Sequence, residues 1–297
     1  MLLALLQSMR PKQWVKNLFV LAPLVFSNSL LSLDRAPRAF LGMALFCLVS
    51  GAVYLINDVF DVAKDRAHPT KRLRPIPSGR LPLPVATGAS LAFAVGSVAA
   101  AFALDLRFGG VILAYLLTNG LYSWKLKHVV FVDVVIIALG FLLRTLAGAF
   151  AIGVHFSPWL FGCTFLLSLY LALGKRKHEV LQAGEAKAQQ RKVLEKYRLE
   201  HLEWGLQAVS GFTVAAYTAY TLSVSLPGHP MRDDSPFSSP WLPVTIPFAV
   251  LGLTRFAVLA SKGELPESPT DRMTRDLPFL LNLGIWGATV LTLIYAL

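Results

Sequence analysis

The chain has 297 residues, of which 55% are hydrophobic and 15% are charged. Because a soluble domain carries roughly 25% charged residues, this composition excludes an ordinary soluble globular protein and indicates an integral membrane protein. The net charge of +11 at pH 7 does not indicate a nucleic-acid-binding protein. The basic residues lie in short loops beside apolar segments, where they orient a membrane protein and contact anionic lipids or phosphorylated ligands.

Apolar segments of about 20 residues recur along the chain. Only helices or closed barrels satisfy the backbone in hydrocarbon, and unbroken runs of this length are typical of helices, so the sequence predicts an all-α membrane protein. We predict nine transmembrane helices in a single integral membrane domain, 1–297, with cytoplasmic catalytic loops at about 57–84 and 174–205. The predicted spans are approximately Leu18–Leu33, Ala39–Ile56, Val85–Leu104, Gly109–Ser123, Val129–Gly153, Trp159–Leu173, Leu206–Leu226, Trp241–Leu259 and Leu277–Leu297.

The distribution of basic residues supports this nine-span arrangement. Of the 28 lysines and arginines, 23 fall on the side of the N-terminus, four fall in the opposite loops, and Arg144 lies inside a span. Short cytoplasmic loops accumulate lysine and arginine, so we predict a cytoplasmic N-terminus and a C-terminus on the far side of the membrane. A miscount of one helix would scramble this alternation.

The stretch NDVFDVAKDRAHPTKRLRPIPSG, residues 57–79, directly follows the second predicted span. Asp58, Asp61 and Asp65 recur at i, i+3 and i+7, so they share one face if the helix continues until Pro69 ends it. Three carboxylates are unfavourable at a helix C-terminus, which carries partial negative charge, unless a cation lies among them. Magnesium prefers oxygen ligands and keeps positions for substrate phosphates, so we predict a magnesium site at these aspartates.

Basic residues follow the aspartates closely. Lys71, Arg72 and Arg74 could return over the same helix face and contact phosphate oxygens. Carboxylates, a metal ion and basic side chains together predict a diphosphate-binding site. A solvated polar cap on the helix is the alternative interpretation.

A second polar cluster, GKRKHE, follows the sixth predicted span. Lys175, Arg176 and Glu179 leave the membrane on the same side as the aspartates, so the two clusters could frame one cavity. The alternative is orientation charge on a solvated loop. The stretch 185–204 has the composition of an interfacial or lid helix.

Polar residues inside or at the ends of other spans are further candidates. An arginine near the middle of a span costs a few kcal/mol, so Arg144 is expected to face a polar cavity or an anion. Asp133 lies on nearly the same helix face, but about 16 Å away along the axis, so a direct pair with Arg144 is not expected. Tyr122 and Lys125 add polar groups at the cytoplasmic end of the fourth span.

The pattern Asn57-Asp58-x-x-Asp61-x-x-x-Asp65, followed by Arg74-Pro75 and Ser78-Gly79 and set among nine spans, resembles the UbiA superfamily of intramembrane prenyltransferases. Members of that superfamily have a second aspartate-rich motif after span six, and both motifs hold magnesium around a substrate diphosphate. In this chain the corresponding stretch is GKRKHE, in which Glu179 is the only acidic residue. This difference resembles one branch of the superfamily, the decaprenyl-phosphate phosphoribosyltransferases. The same branch is resembled by four further stretches, RPKQWVKN (10–17), HPTKRLRPI (68–76), RKVLEKY and GELPESPTDR (263–272).

This resemblance implies a UbiA-like helical bundle around a central cavity in a bacterial-type inner membrane. It implies transfer of 5-phosphoribosyl from phosphoribosyl pyrophosphate to a polyprenyl, decaprenyl-like phosphate, in the synthesis of a cell-wall precursor, with Mg²⁺ as the cofactor. Catalysis is assigned to Asp58 and Asp61, and metal binding to these two and Asp65. The expected substrate-binding residues are Asn57, Lys71, Arg72, Arg74, Tyr122, Lys125, Arg144, Lys175, Arg176 and Glu179.

Two other functions stay open. An aromatic prenyltransferase with a polyprenyl diphosphate donor would have to remove a ring proton, and the sequence offers no convincing base for that step. A non-catalytic lipid carrier is compatible with Arg144, but it needs access from both faces of the membrane, whereas the aspartates cluster at a single exit. The oligomeric state is also open, with a homo-oligomer among the alternatives.

Overall fold

The computed structural model describes residues 1–124, 126, 129–155, 158–183, 194, 196–225, 239–261 and 268–296. Within these ranges the chain is helical and contains no strand, which confirms the predicted all-α class. Short 3-10 helices cover Pro11–Leu21, Lys71–Leu73 and Leu242–Thr245. The α-helices are α1 (Leu2–Ser8), α2 (Ala22–Phe26), α3 (Arg35–Phe60), α4 (Val62–Ala67), α5 (Leu83–Leu104), α6 (Leu106–Trp124), α7 (Val132–Ala151), α8 (Pro158–Ala183), α9 (Leu199–Ser225), α10 (Ile246–Ser261), α11 (Pro269–Met273) and α12 (Leu277–Tyr295).

Six helical segments of the described chain are long and apolar enough to cross a bilayer. They lie in α3, α5, α7, α8, α12 and the continuous stretch Leu242–Ser261 that contains α10. Helices α6 and α9 coincide with the predicted fourth and seventh spans but are not among these six. The protein is therefore a multi-pass membrane protein, while the count of nine transmembrane helices is not confirmed.

The first predicted span, Leu18–Leu33, is not one continuous α-helix. Its beginning belongs to the 3-10 helix Pro11–Leu21, and the short α2 follows. The backbone of this segment approaches α7 closely, since a Cβ on Gly148 would lie 1.9 Å from the carbonyl oxygen of Val20. Since 3-10 runs longer than a few residues are uncommon, sequence periodicity gave no reason to expect one here.

The chain forms two compact units, and the first contains residues 1–24, 29–124 and 143–155. Helix α3 packs against α5 and against the first 3-10 helix, and α5 packs against α6. Phe46 and Phe108 are fully buried at the centre of this unit. A smaller apolar cluster packs against the C-terminal part of α3. It includes Met9, which follows α1, Leu55 of α3, and Ile76 from the segment before α5.

The second unit contains residues 25–28, 125–142 and 156–297. Helices α8 and α9 pack along each other, and α10 packs against both α8 and α12. Tyr170, Phe256 and Leu202 are buried in its core. Arg255 also holds Asp276 through two hydrogen bonds of 2.9 and 2.7 Å, and the Asp276 carboxylate caps the start of α12. The single membrane domain inferred from the sequence stays a prediction.

Candidate functional site

Helix α3 carries Asn57 and Asp58 at its C-terminal end, as the sequence pattern predicts. The α-helix is interrupted at Asp61, where φ is −88° and ψ is 5°, and then resumes as α4. Helical backbone hydrogen bonds nevertheless cross the interruption, from Asp61 N to Asn57 O and from Asp65 N to Asp61 O. Helix α4 ends before Pro69 because the preceding residue, His68, is extended, which is the conformation that a following proline favours.

A cluster of ion pairs with two buried carboxylates lies at this helix end. Asp58 and Asp65 are only 4% and 2% exposed. One guanidinium nitrogen of Arg74, Nη1, donates to Asp65 Oδ2 at 2.7 Å and to Asp58 Oδ1 at 3.2 Å. Arg10 Nη2 donates to the same Asp58 oxygen at 2.5 Å, and its guanidinium lies 4.9 Å from the centre of the Tyr54 ring. We call Asp58, Asp65, Arg10 and Arg74 the carboxylate–arginine cluster.

The segment after α4 folds back so that Arg74 reaches the aspartates. Backbone hydrogen bonds from Ser78 N to Arg74 O and from Leu81 N to Pro75 O close this turn. Gly79 has φ +80°, a left-handed conformation that favours glycine. The side chains of Lys71 and Arg72, in the adjacent 3-10 helix, make no hydrogen bond or ion pair within the described part of the chain.

Two of the three predicted metal ligands come together. Asp58 and Asp65 share the Arg74 guanidinium, whereas Asp61, at the interruption between α3 and α4, shares no such contact. No group of three or more His, Cys, Asp or Glu side chains is arranged to hold a metal ion among the described residues. Because magnesium commonly uses only one or two protein carboxylates and takes its other oxygens from water and phosphate, the two aspartates that already share one cation fit a magnesium ion.

Arg144 lies in the same unit, in α7, and is held by other protein groups. Its Nε donates to Asn17 Oδ1 at 2.8 Å, and its Nη2 donates to the Tyr115 hydroxyl at 2.9 Å. The guanidinium also lies over the rings of Tyr115 and Phe46, at 4.8 and 5.5 Å from their centres. These contacts surround Arg144 with polar and aromatic groups of the first unit.

The Arg144 contacts predict a stability effect that separates charge from stacking. Changing Tyr115 to phenylalanine removes the hydroxyl but keeps the ring, and we expect unfolding to become easier by about 1.5–3 kcal/mol, the range for a hydrogen bond to a charged group. Equilibrium unfolding in detergent would measure this change. Tyr295→Phe is the control, since it removes a bond to the uncharged carbonyl of Val25 and should cost about 0.5–1.5 kcal/mol. Equal costs for both variants would contradict the assignment.

The second predicted cluster is helical. Helix α8 continues to Ala183, so Lys175, Arg176 and Glu179 belong to it and not to a loop. Arg176, which is 1% exposed, pairs through Nη2 with Asp133 Oδ2 at 2.6 Å and through Nη1 with Glu179. Lys175 is half-buried.

Tyr197 completes this second cluster. Its hydroxyl donates to Asp133 Oδ1 at 2.5 Å and accepts from the backbone N–H of Phe131 at 2.8 Å. Burial, together with the hydrogen bond to Asp133, raises the pKa of Tyr197 above its ordinary value, so the hydroxyl stays a donor at neutral pH. Asp133, Arg176, Glu179 and Tyr197 form what we call the buried α8 ion-pair cluster.

Sequence reasoning missed two of these ion pairs. Arg10 was interpreted as an orientation charge and as part of the stretch RPKQWVKN, with no partner predicted, and Asp133 was compared with Arg144 and not with Arg176. The spacing of Arg176 and Glu179, i and i+3, did signal their pair, but no local pattern links residue 133 to residue 176. Of the remaining candidates, Tyr122 is partly buried at the end of α6, and Lys125 lies outside the described residues. Residues 185–193 and 195 of the predicted lid stretch 185–204 also lie outside them.

The fold and the site define a multi-pass helical membrane protein with buried carboxylates and arginines at the end of one helix. This chain belongs to the UbiA prenyltransferase family, which matches residues 19–185. The membership confirms the family predicted from the aspartate pattern.

Named relatives extend this likeness over nearly the whole chain. The chain is 35% identical to the decaprenyl-phosphate phosphoribosyltransferase of Mycolicibacterium smegmatis, over 96% of this chain and 92% of that protein. The protein of the same name from Mycobacterium tuberculosis is 34% identical, with the same coverage. Among solved structures, a UbiA homolog from Archaeoglobus fulgidus, bound to DMAPP and Mg²⁺, has a TM-score of 0.71 at 20% identity and covers 99% of both chains. The predicted UbiA-like fold is thereby confirmed.

Proposed function

We propose that this protein transfers the 5-phosphoribosyl group of phosphoribosyl pyrophosphate to a polyprenyl phosphate and releases pyrophosphate. The observation that carries the proposal is the similarity, across almost the whole chain, to relatives named decaprenyl-phosphate phosphoribosyltransferase. The donor is soluble in water and the acceptor is a membrane lipid, which suits a site at the end of a membrane helix. Under this proposal the C-terminal end of α3 faces the cytoplasm.

The carboxylate–arginine cluster is suited to the diphosphate of the donor. Asp58 and Asp65 would hold Mg²⁺, which when bound neutralises charge on the departing pyrophosphate. Arg74 already lies between these carboxylates, so its guanidinium is positioned to contact phosphate oxygens that bind beside them. Lys71 and Arg72, on the adjacent 3-10 helix, supply two more positive charges for the same ligand.

The reaction that we propose needs no general base. A phosphate monoester is already anionic at pH 7, so an oxygen of the lipid phosphate can attack the anomeric carbon directly. The new bond from carbon to the lipid phosphate forms as the bond from that carbon to the pyrophosphate oxygen breaks, with inversion at the carbon. The protein then contributes orientation of the two substrates and electrostatic stabilisation of the leaving group.

The residues predicted from the second cluster, Lys175, Arg176 and Glu179, differ in how well they suit substrate binding. We retain Lys175 as a predicted substrate-binding residue, because its charge has no ion-pair partner in the described chain. Arg176 pairs with both Glu179 and Asp133, so its single positive charge is shared between two carboxylates. For Arg176 and Glu179, the predicted substrate contact therefore competes with the structural role that their burial indicates.

A donor competition on the purified protein tests the function. The protein is incubated in detergent with Mg²⁺ and either labelled phosphoribosyl pyrophosphate plus polyprenyl phosphate, or labelled polyprenyl diphosphate plus 4-hydroxybenzoate. We expect an acid-labile phosphoribosyl lipid from the first pair, and we expect a metal chelator to abolish it. A prenylated aromatic product from the second pair, with none from the first, would replace the proposal by the aromatic prenyltransferase alternative. Lipid movement with no product from either pair would favour the carrier.

A further inference from the structure

Arg10 occupies an unusual position at the start of the first 3-10 helix. Its φ of 55° and ψ of 64° lie in the left-handed region, which residues other than glycine rarely adopt. Hydrogen bonds from Arg10 N to Gln7 O at 3.1 Å and from Gln13 N to Arg10 O at 2.8 Å hold this conformation. The surrounding fold therefore maintains an unfavourable backbone conformation at the residue whose side chain reaches Asp58.

The Arg10 side chain is partly accessible although its partner is buried. It is 33% exposed, while the side chain of Asp58 is 5% exposed. Its guanidinium rests on the Tyr54 ring and donates to Asp58 through Nη2. Stacking on Tyr54 would orient the planar group even without the carboxylate, so Arg10 can exchange its anionic partner without losing its place.

The charges within the carboxylate–arginine cluster balance. Asp58 and Asp65 bring two negative charges, and Arg10 and Arg74 bring two positive charges. A divalent cation that bound to the carboxylates alone would displace both guanidiniums and leave them beside it, with like-charge repulsion. A diphosphate that arrives with the cation offers the displaced guanidiniums new anionic partners.

We propose that Arg10 is a diphosphate-binding residue that pairs with Asp58 until the ligand arrives and then transfers to its phosphate oxygens. The consequence is that the divalent cation and the diphosphate bind cooperatively, each favouring the other, while the cation alone binds weakly. This inference rests on the metal site at Asp58 and Asp65 of the proposed function. It adds to that site a second arginine from the N-terminal segment, together with a binding order.

Two binding measurements on the full-length protein in detergent test this proposal with Arg10→Gln. Electron paramagnetic resonance measures Mn²⁺ binding without phosphate, and equilibrium dialysis measures labelled inorganic pyrophosphate at a fixed Mn²⁺ concentration. We expect the two affinities to change in opposite directions. Mn²⁺ alone should bind about tenfold more tightly than in the unchanged protein, and pyrophosphate should bind about tenfold more weakly. A tenfold change corresponds to one charge-assisted contact. A merely structural Arg10 would weaken both or change neither, and either of those results would overturn the proposal.

Arg80→Gln is the matched control. Arg80 belongs to the neighbouring segment and bonds Gln7 Oε1 and Leu73 O, not a carboxylate, so its loss removes the same charge without freeing Asp58. We expect both affinities to stay unchanged in this variant, and an equal effect of the two variants would overturn the proposal. If Arg10→Gln does not fold, Arg10→Lys replaces it, with the same two signs and smaller changes expected.

The outcomes also separate this inference from the proposed function. Both binding measurements use only Mn²⁺ and inorganic pyrophosphate, so they require no phosphoribosyl transfer. Opposite signs in a protein that fails the donor competition would keep the Arg10 assignment and reject the phosphoribosyl donor. A protein that makes the phosphoribosyl lipid but shows unchanged Mn²⁺ binding in Arg10→Gln would keep the function and reject the Arg10 assignment.

Discussion

Asp58→Asn is expected to lower the rate of phosphoribosyl transfer by about 10²- to 10³-fold, the loss typical of removing one electrostatic contact to a developing charge. Asparagine has nearly the same shape as aspartate, so the helix end should keep its geometry. The neutral amide cannot share a cation with Asp65, and it removes the common carboxylate of Arg10 and Arg74. Initial rates with saturating donor, acceptor lipid and Mg²⁺ would measure the loss.

Two further variants give this experiment its controls. Asp34→Asn changes an exposed aspartate at the opposite end of the same helix and should leave the rate unchanged. Asp61→Asn distinguishes the pair of carboxylates found here from the three predicted by the sequence, and we expect a smaller loss than for Asp58. A loss as large as that of Asp58→Asn would establish Asp61 as a third essential carboxylate. Full activity of Asp58→Asn would contradict the proposed site.

Arg176→Met should destabilise the protein by about 3–5 kcal/mol, as expected when one partner of a buried ion pair is removed. Asp133 is 0% exposed and would be left without its ionic partner, retaining the hydrogen bond from Tyr197. Glu179 is partly exposed and can turn its charge towards water. Equilibrium unfolding of the purified protein in detergent would measure this destabilisation.

The double variant Arg176→Met with Asp133→Leu shows whether this cluster has only a structural role. Apolar replacement of both partners should recover most of the lost stability, because no buried charge then remains uncompensated. Lys177→Met is the control in the next position. Its pair with the exposed Glu203 should contribute at most about 1 kcal/mol.

Activity of the double variant then tests the predicted substrate contact of Arg176. Normal affinity for phosphoribosyl pyrophosphate in the restabilised protein would assign Arg176 to the fold alone. A stable double variant with strongly weakened donor binding would support the contact predicted from GKRKHE. If Arg176→Met is as stable as Lys177→Met, the buried ion pair described here is wrong.

The amino-acid sequence by itself determined the membrane class, the all-helical fold and the position of the aspartates at and just after the C-terminal end of α3. These properties depend on composition and on local periodicity, which a short window of residues contains. The UbiA family followed from the same local pattern. Even so, the first predicted span was partly wrong, because its beginning forms a 3-10 helix and not part of a continuous α-helix.

Only the tertiary structure decided which charges meet. Arg10 pairs with Asp58 across 48 residues of sequence, and Arg176 pairs with Asp133 on another helix. The free energy of such pairs depends on how far packing removes them from water and on which counter-charge the fold brings near, and neither quantity is contained in a local stretch of sequence. The sequence therefore indicated the chemical character of the site, while the packing of distant segments determined its carboxylate pair and its arginines.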